Sequence, residues 1–344
     1  MMKEVRLMGR TAGWREDGTL PLFWTGSGVL FDMEGESLAF VLQAGDSQFE
    51  QWIRVEVDGV TVLRTSLQPG INRVTVFRGI DPAKRHRVQL FKEVQAMNQD
   101  EAAFLILRSI ETPGTLFPVE EPKWKLEFIG DSLTSGEGMA CEKHFMDWVS
   151  CMFSTEGTYA QLLSKALGGE VHILSQSGWG LYSSWDGDRS HVLPPCYPQV
   201  CGLLTGEGNA ALGAHLPNDF TWQPDAIVVN LGTNDSSALN LAEDQETFRA
   251  AFRKAAEDYL ETLRRYNPKA LILWAYGMCG YALEEDLREA VANYCRRTGD
   301  SRALYVSLPQ AGGEEMGSRQ HPGARSNALC AQVLLKVLKE NGME

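Results

Sequence analysis

The regular exchange of apolar and amphipathic stretches after Pro122 constrains the fold more than any other feature of the chain. Five apolar stretches there are separated by stretches with helical periodicity: KLEFIGDS, EVHILSQSG, DAIVVNLGTND, ALILWAYG and ALYVSLP. Apolar strands that alternate with helices form a parallel sheet covered on both faces. Ligands bind such sheets at the carboxyl ends of the strands. Residues 122–344 are therefore predicted to form an α/β domain around a five-stranded parallel sheet.

The chain before Pro122 has a different pattern. It consists of short predicted strands separated by turns, and no stretch has helical periodicity over the length of a typical helix. Its clearest signal is WIRVEVDGVTVL, which alternates around Asp58-Gly59. That pair tolerates the positive φ angles of a tight hairpin turn. Residues 1–121 are predicted to form an all-β sandwich or jelly roll. The link to the second domain is marked by three prolines: Pro113, Pro118 and Pro122.

Composition excludes several classes of partner. The 344 residues carry a formal net charge of -13, which argues against nucleic acid or anionic lipid as the main partner. The sequence MMKEVRLMGRTAGWRED has no apolar stretch long enough for a signal peptide, and no run approaches the length of a membrane span. We expect a cytoplasmic protein that is not bound to a membrane. The oligomeric state is left open by the sequence.

The seven cysteines all lie after Pro122 and show no metal-binding spacing. An odd number of cysteines without a secretion signal favours free thiols. Structural zinc sites need closely spaced pairs of ligands, so no metal is expected. No other cofactor is indicated by the sequence.

Three of the predicted strands end in residues that suit ester chemistry. Ser132 follows the first, Gly178 follows the second and Asn234 lies in GTND after the third, while His321 precedes the last helix. A serine hydroxyl becomes a nucleophile when a base such as histidine takes its proton. The backbone N–H groups of Ser132 and Gly178 and the Asn234 amide are candidate donors to an oxyanion.

Each of these residues also has an ordinary structural explanation. A serine at a strand end commonly caps the next helix. A histidine beside a helix start can be a surface residue, Asn-Asp pairs often occupy turns, and glycine permits a sharp turn. The catalytic interpretation depends on the residues occurring together.

Taken together, four motifs resemble those of the SGNH (GDSL-type) hydrolases: GDSLTSGEG, the glycine of SQSGWG, GTND and the His-Pro before the last helix. They occur in the order typical of that family. The resemblance implies a three-layer α/β/α domain with Ser132 as nucleophile and His321 as general base. It also implies an oxyanion hole formed by Ser132, Gly178 and Asn234.

The N-terminal half resembles carbohydrate esterase family 2, in which a β-sandwich precedes an SGNH domain. The resemblance is carried by LPLFWTGSGVLFDMEGESLAFVL, VEVDGV and SLQPGINRVTVFR, and by GLYSSWDGD in the second half. It spans nearly the whole chain. It implies removal of O-acetyl groups from polysaccharides and their fragments, without a cofactor.

One position departs from the SGNH pattern. Most members have an aspartate three residues before the histidine, where it fixes the imidazole tautomer. Here that position is Ser318. We expect a backbone carbonyl of Gly317, Ser318 or a neighbour to orient His321, as in those family members that act as Ser-His dyads. A side chain that could replace the aspartate is Glu314 or Glu315.

Aromatic residues follow Gly178 closely, at Trp179, Tyr182 and Trp185. Sugars stack on such rings, although tryptophan in an α/β domain often belongs to the core. Trp179 is the candidate for contact with substrate because it adjoins Gly178. The irregular stretch 196–222 either forms a loop over the site or packs against the sandwich.

The sequence therefore predicts a carbohydrate O-acetyl esterase that deacetylates xylo- or manno-oligosaccharides through an acetyl-enzyme. Another SGNH ester hydrolase, a lysophospholipase or thioesterase, is the nearer alternative. A carbohydrate-binding protein without activity is the more distant alternative, and the absent aspartate is its only support.

Overall fold

A computed structural model describes residues 3–344, and its chain forms two compact units. The first unit contains the chain up to Glu121 together with Val149–Phe153 and Cys196–Asn218. The second contains Pro122–Trp148, Ser154–Pro195 and Asp219–Glu344.

Within residues 3–344, ten strands lie before Pro122 and five lie after it. In chain order they are β1 Arg6–Met8, β2 Leu20–Pro21, β3 Gly28–Glu34, β4 Ser37–Gly45, β5 Trp52–Val57, β6 Val60–Ser66, β7 Gly70–Arg78, β8 Arg85–Lys92, β9 Phe104–Glu111, β10 Thr115–Phe117, β11 Trp124–Gly130, β12 Gly169–Ser175, β13 Ala226–Asn230, β14 Leu271–Tyr276 and β15 Ala303–Ser307. The α-helices are α1 Ser132–Ser135, α2 Tyr159–Leu167, α3 Gly206–Ala211, α4 Thr233–Leu239, α5 Gln245–Tyr266, α6 Glu284–Thr298 and α7 Ala324–Glu340. Short 3₁₀ turns occupy Ser150–Met152, Pro194–Cys196, Gly313–Glu315 and Ser318–Gln320.

The first unit is built from two antiparallel sheets. One has the order β1-β3-β8-β5-β6, with β10 paired to β3, and the other has the order β2-β9-β4-β7. Alternate side chains of both sheets meet in one core, where the rings of Phe31 and Phe40 pack edge to face at 6.3 Å. The strand-rich N-terminal domain predicted from the sequence is confirmed.

The β5–β6 hairpin turns at the two residues that the sequence indicated. Asp58 and Gly59 lie between the strands with φ angles of 52° and 79°. Two consecutive positive φ angles match the right-handed twist of the flanking strands, which explains why Asp-Gly is favoured here.

The first unit also incorporates residues that come much later in the chain. The indole Nε1 of Trp24 donates to the Val200 carbonyl at 2.7 Å, and the Asn209 amide donates to the Ala103 carbonyl at 3.2 Å. Both side chains are buried. Of the two interpretations of this irregular stretch, residues 196–218 follow the second, because they pack with the strands of the first unit.

The second unit has a five-stranded parallel sheet in the order β12-β11-β13-β14-β15. Its core joins the apolar strands to α2 and α7, with Phe128 and Tyr159 packed edge to face at 5.6 Å. The parallel sheet predicted from the strand and helix alternation is confirmed. The sequence did not indicate α4, a seven-residue helix that begins directly after Gly232.

Among residues 3–344, no helix combines the length and the apolar character needed to cross a membrane.

The hairpin gives a test of the first unit. We expect Gly59→Ala to lower the free energy of unfolding by about 1 kcal/mol, because an L-residue pays to adopt positive φ and no neighbouring atom lies within 4 Å of the added Cβ. Gly208→Ala is a matched control that should raise the free energy of unfolding, since Gly208 lies in helix α3 and no atom lies within 4 Å of an added Cβ there either. Urea denaturation of both variants would measure the difference. A neutral Gly59→Ala would contradict the turn geometry.

Candidate active site

Ser132 is the first residue of α1 and lies at the carboxyl end of β11, the strand between β12 and β13. Its helix is capped by Asp131, whose Oδ1 accepts the Leu133 N–H at 3.0 Å. Ser132 is therefore not the cap, and its hydroxyl is available for another partner. Gly130 permits the tight exit from the strand, since a Cβ there would lie 2.0 Å from Thr134 Oγ1.

The partner of Ser132 is His321, 189 positions later in the chain. The Ser132 Oγ lies 2.9 Å from His321 Nε2, and His321 Nδ1 lies 2.9 Å from the carbonyl oxygen of Arg319. A carbonyl oxygen only accepts, so the Nδ1 position carries the proton. The Nε2 lone pair is then directed at the serine hydroxyl. This is the tautomer that a general base needs.

The orienting carbonyl belongs to Arg319, a neighbour of the two residues that the sequence suggested by number. The two glutamates considered as substitutes are engaged elsewhere. Glu314 is exposed and pairs with Lys143 at 3.4 Å, and the Glu315 carboxylate accepts the Gly312 N–H at 3.3 Å. Among the described residues, Ser318 Oγ is buried without a hydrogen-bond partner.

The loop that carries the Arg319 carbonyl has an unusual backbone. Arg319 and Gln320 have φ angles of 53° and 57°. For residues with a Cβ, this left-handed conformation costs roughly 1–2 kcal/mol each. Surrounding hydrogen bonds must hold such a conformation in place. The Ser318 N–H donates to Gly138 at 3.1 Å, and the Arg319 N–H donates to Phe145 at 2.9 Å.

Gly138 allows this close approach. A Cβ at this position would lie 2.6 Å from the Ser318 carbonyl oxygen and 2.9 Å from His321 Cβ, and the residue has a φ of 83°. The last glycine of the GDSLTSGEG motif is thus required by packing against the histidine loop.

The candidate oxyanion donors lie at the ends of three adjacent strands. Gly178 follows β12 with a φ of 78°, and Asn234 is the second residue of α4 after β13. The Asn234 Nδ2 donates to the Trp179 carbonyl at 2.8 Å and to Asp131 Oδ2 at 3.3 Å. Asn234 therefore contacts a residue adjacent to Gly178 and a residue adjacent to Ser132. These contacts bring the three predicted donors into one region.

Asp235 has a role that the sequence did not reveal. Its buried carboxylate accepts the N–H groups of Leu181, Tyr182 and Ser183 at 2.8–2.9 Å. Burial raises the pKa of Asp235 to about 6, while these N–H donors oppose the rise. The Asp of GTND thus fixes the turn that follows Gly178.

Asp131 is the other buried carboxyl group at these strand ends. Burial raises its pKa to about 7, and the charges of Asp235 and Glu137 add to the rise. The Leu133 N–H opposes it. Both Asp131 and Asp235 serve the backbone around the site.

The two tryptophans after Gly178 differ in their surroundings, since Trp179 is packed against another ring and Trp185 is exposed. Trp179 is half-buried and stacks on His191 with ring centroids 5.1 Å apart. The Trp185 side chain is 59% exposed. The backbone N–H of Trp185 donates to the Gly178 carbonyl at 3.1 Å, and the indole ring packs over the open side of Gly178. Trp179 was the sequence-based candidate for contact with substrate because it adjoins Gly178. The contact of Trp185 with Gly178 depends on the turn that Asp235 stabilises, so the sequence did not reveal it. Contact of Trp179 with substrate stays a prediction.

Among residues 3–344, no group of three or more His, Cys, Asp or Glu side chains is arranged to hold a metal ion. The seven cysteines are free thiols, of which Cys196, Cys201 and Cys330 are buried.

Comparisons with known proteins agree with this architecture. Residues 128–328 match the GDSL-like lipase/acylhydrolase family, and residues 7–118 match the carbohydrate esterase 2 N-terminal domain. An acetyl xylan esterase from the rumen bacterium Butyrivibrio proteoclasticus has a similar structure, with a TM-score of 0.94 and 35% identity. That similarity covers 99% of this chain and 96% of the other.

Two curated relatives extend the comparison. The acetylxylan esterase / glucomannan deacetylase of Cellvibrio japonicus is 26% identical, over 98% of this chain and 88% of the relative. The cellulase/esterase CelE of Acetivibrio thermocellus is 27% identical over 92% of this chain, which spans only 37% of that relative's length. These similarities support a serine ester hydrolase and confirm the resemblance seen in the sequence motifs. The chain belongs to the GDSL-like lipase/acylhydrolase family and carries a carbohydrate esterase 2 N-terminal domain.

Proposed function

We propose that this protein is a carbohydrate O-acetyl esterase in which Ser132 is the nucleophile and His321 the general base. The observation that carries the proposal is the 2.9 Å contact between Ser132 Oγ and His321 Nε2, with the Nδ1 proton held by a carbonyl. A hydroxyl aligned on a basic nitrogen can attack as it loses its proton. The names of the relatives support an acetyl ester as the substrate.

The proposed reaction has two halves. Ser132 Oγ attacks the acetyl carbonyl carbon while His321 Nε2 takes its proton, and the sugar oxygen then leaves with that proton as the acetyl-enzyme forms. A water molecule, deprotonated by His321, attacks the acetyl-enzyme. Acetate is released and Ser132 regains its proton. Both halves use the Nε2 position, so the Nδ1 contact must persist throughout.

The negative oxygen of the tetrahedral intermediates is assigned to the N–H groups of Ser132 and Gly178 and to Asn234 Nδ2. The support is the location of all three at adjacent strand ends. Both N–H groups of the Asn234 amide have partners in this structure, so the longer contact, 3.3 Å to Asp131, has to be exchanged for the oxyanion. Removal of one such donor typically costs about 3 kcal/mol of transition-state stabilisation.

A carbohydrate leaving group is favoured by the exposed Trp185 ring beside Gly178. Aromatic rings offer a flat apolar face to the C–H groups of a sugar. Acetylated xylo- and manno-oligosaccharides are the proposed substrates, because the relatives include an acetyl xylan esterase and a glucomannan deacetylase. A lysophospholipase or thioesterase activity and an inactive carbohydrate-binding protein are the alternatives to be tested. A cytoplasmic location stays a prediction.

The first prediction concerns the nucleophile. Ser132→Ala should lower the rate of acetate release from acetylated xylo- and manno-oligosaccharides on the order of 10⁴-fold or more, because no other hydroxyl is aligned on His321 in the described residues. Ser135→Ala is the matched control, since Ser135 lies in the same helix and its hydroxyl bonds Ser175 instead. Preference for long-chain esters would favour the lipase alternative, and absence of any turnover by the wild type would contradict the proposal.

The second prediction concerns Trp185. Trp185→Ala should raise KM for an acetylated oligosaccharide about 10-fold, the effect of losing one ring contact of about 1.4 kcal/mol. Hydrolysis of 4-nitrophenyl acetate, which offers no sugar, should change by less than about 2-fold. Equal losses on both substrates would mean that Trp185 serves the Gly178 turn and not the sugar.

The third prediction concerns the missing aspartate. Ser318→Asp should not increase kcat, because the Nδ1 proton is already donated to Arg319, and a carboxylate at this buried position should destabilise the fold by about 1–3 kcal/mol. Ser318→Asn separates the effect of charge from that of size. Steady-state kinetics and thermal unfolding would measure both changes. A rise in kcat would show that a carboxylate reaches the ring.

A further inference from the structure

Glu137, within the GDSLTSGEG motif, is a buried carboxylate that caps no helix and has no part in the chemistry proposed for Ser132 and His321. It lies five residues after Ser132, its side chain is 3% exposed, and its Oε1 is 3.0 Å from Arg319 Nε. A buried carboxylate is normally retained with a partner that offsets its loss of hydration. The partner here is the residue whose carbonyl orients His321.

We propose that Glu137 is a positioning residue for His321, acting through its ion pair with Arg319. The ion pair holds Arg319 so that its backbone carbonyl stays directed at the Nδ1 proton. This inference rests on the proposed Ser132 and His321 chemistry and adds a residue to it.

Three contacts join Arg319 to residues 137–146 and support this role. Its Nε contacts Glu137 Oε1, its Nη1 donates to the Met146 carbonyl at 2.8 Å, and its N–H donates to the Phe145 carbonyl at 2.9 Å. The side chain and the backbone of one residue are thus fixed separately. A left-handed residue needs such anchoring, since its relaxed conformation would turn the carbonyl away.

A direct action on the imidazole is the competing explanation. Glu137 Oε1 lies 3.7 Å from His321 Nε2, which is beyond hydrogen-bond length but close enough for an electrostatic effect. The Arg319 guanidinium contacts the same carboxylate oxygen and offsets part of its charge. If Glu137 acts through Arg319, Glu137→Gln should not lower kcat further once the Arg319 guanidinium has been removed. If Glu137 acts directly on the imidazole, it should.

A double-mutant cycle separates the routes. Glu137→Gln keeps the size of the side chain and removes its charge, and Arg319→Gln removes the guanidinium while keeping the backbone carbonyl. Each single variant should lower kcat for 4-nitrophenyl acetate about 10- to 100-fold with KM changed less than about 3-fold, a smaller loss than the ~10⁴ of a triad aspartate because the carbonyl remains. The double variant should be no slower than the slower single variant.

Glu314→Gln is the matched control, because Glu314 pairs with a lysine and lies on the loop that leads to His321 without contacting it. It should leave kcat unchanged. Single effects that multiply in the double variant would overturn the positioning role, and so would a Glu137→Gln variant with wild-type kcat. If Glu137→Gln does not fold, as judged by thermal unfolding, substitution at the less buried end of the pair, Arg319→Gln, must still lower kcat for the proposal to stand.

Labelling of Ser132 by a fluorophosphonate distinguishes failure of this inference from failure of the proposed function. The probe reports serine nucleophilicity without an acetyl substrate. Slower labelling of Glu137→Gln in a protein that releases no acetate would refute the esterase and retain the positioning role. Equal labelling of wild type and variant, in a protein that does release acetate, would refute the positioning role alone.

Discussion

The site depends on one hydrogen bond, from His321 Nδ1 to the Arg319 carbonyl. It fixes the tautomer, and the tautomer in turn directs the Nε2 lone pair at Ser132. A neutral carbonyl offers the developing imidazolium less electrostatic stabilisation than an aspartate would. What the carbonyl provides is direction, and that direction is maintained by the left-handed backbone and its contacts with Gly138 and Phe145. The proposed chemistry therefore relies on backbone conformation, where the aspartate of the SGNH pattern would supply a charge.

The ends of neighbouring strands support one another through buried carboxyl groups. The carboxylate of Asp235, on the helix after β13, accepts hydrogen bonds from three backbone N–H groups of the turn that follows β12. Asp131, after β11, caps α1 and accepts from the Asn234 amide. Each segment at this edge is thereby held by a residue from another segment. Both carboxyl groups are buried where they make these hydrogen bonds, and this burial raises the pKa of each.

Features with a local signal could be predicted from the sequence. Asp58-Gly59 specifies its hairpin through the φ angles it tolerates, and the five apolar strands specify the sheet through their alternation with helices. Ser132 and His321 were recognisable because their motifs lie at element boundaries. The Arg319 carbonyl was not, because every residue has a carbonyl and only the folded loop selects one. Glu137, Asp235 and Trp185 depend in the same way on contacts between segments distant in sequence.

The composition of the first unit has a consequence for synthesis of the protein. The buried Trp24 indole of this unit donates to the Val200 carbonyl, which lies far along the chain. Residues 196–218 leave the ribosome roughly 4–19 s after residue 121 at ordinary elongation rates. During that interval β11, α2 and β12 are also emerging. The strand-rich unit is thus not completed before the α/β unit begins, and the two must mature in an overlapping order. His321, the proposed base, is synthesised 189 residues after Ser132, so a nascent chain contains the proposed nucleophile before it contains the residue that would activate it.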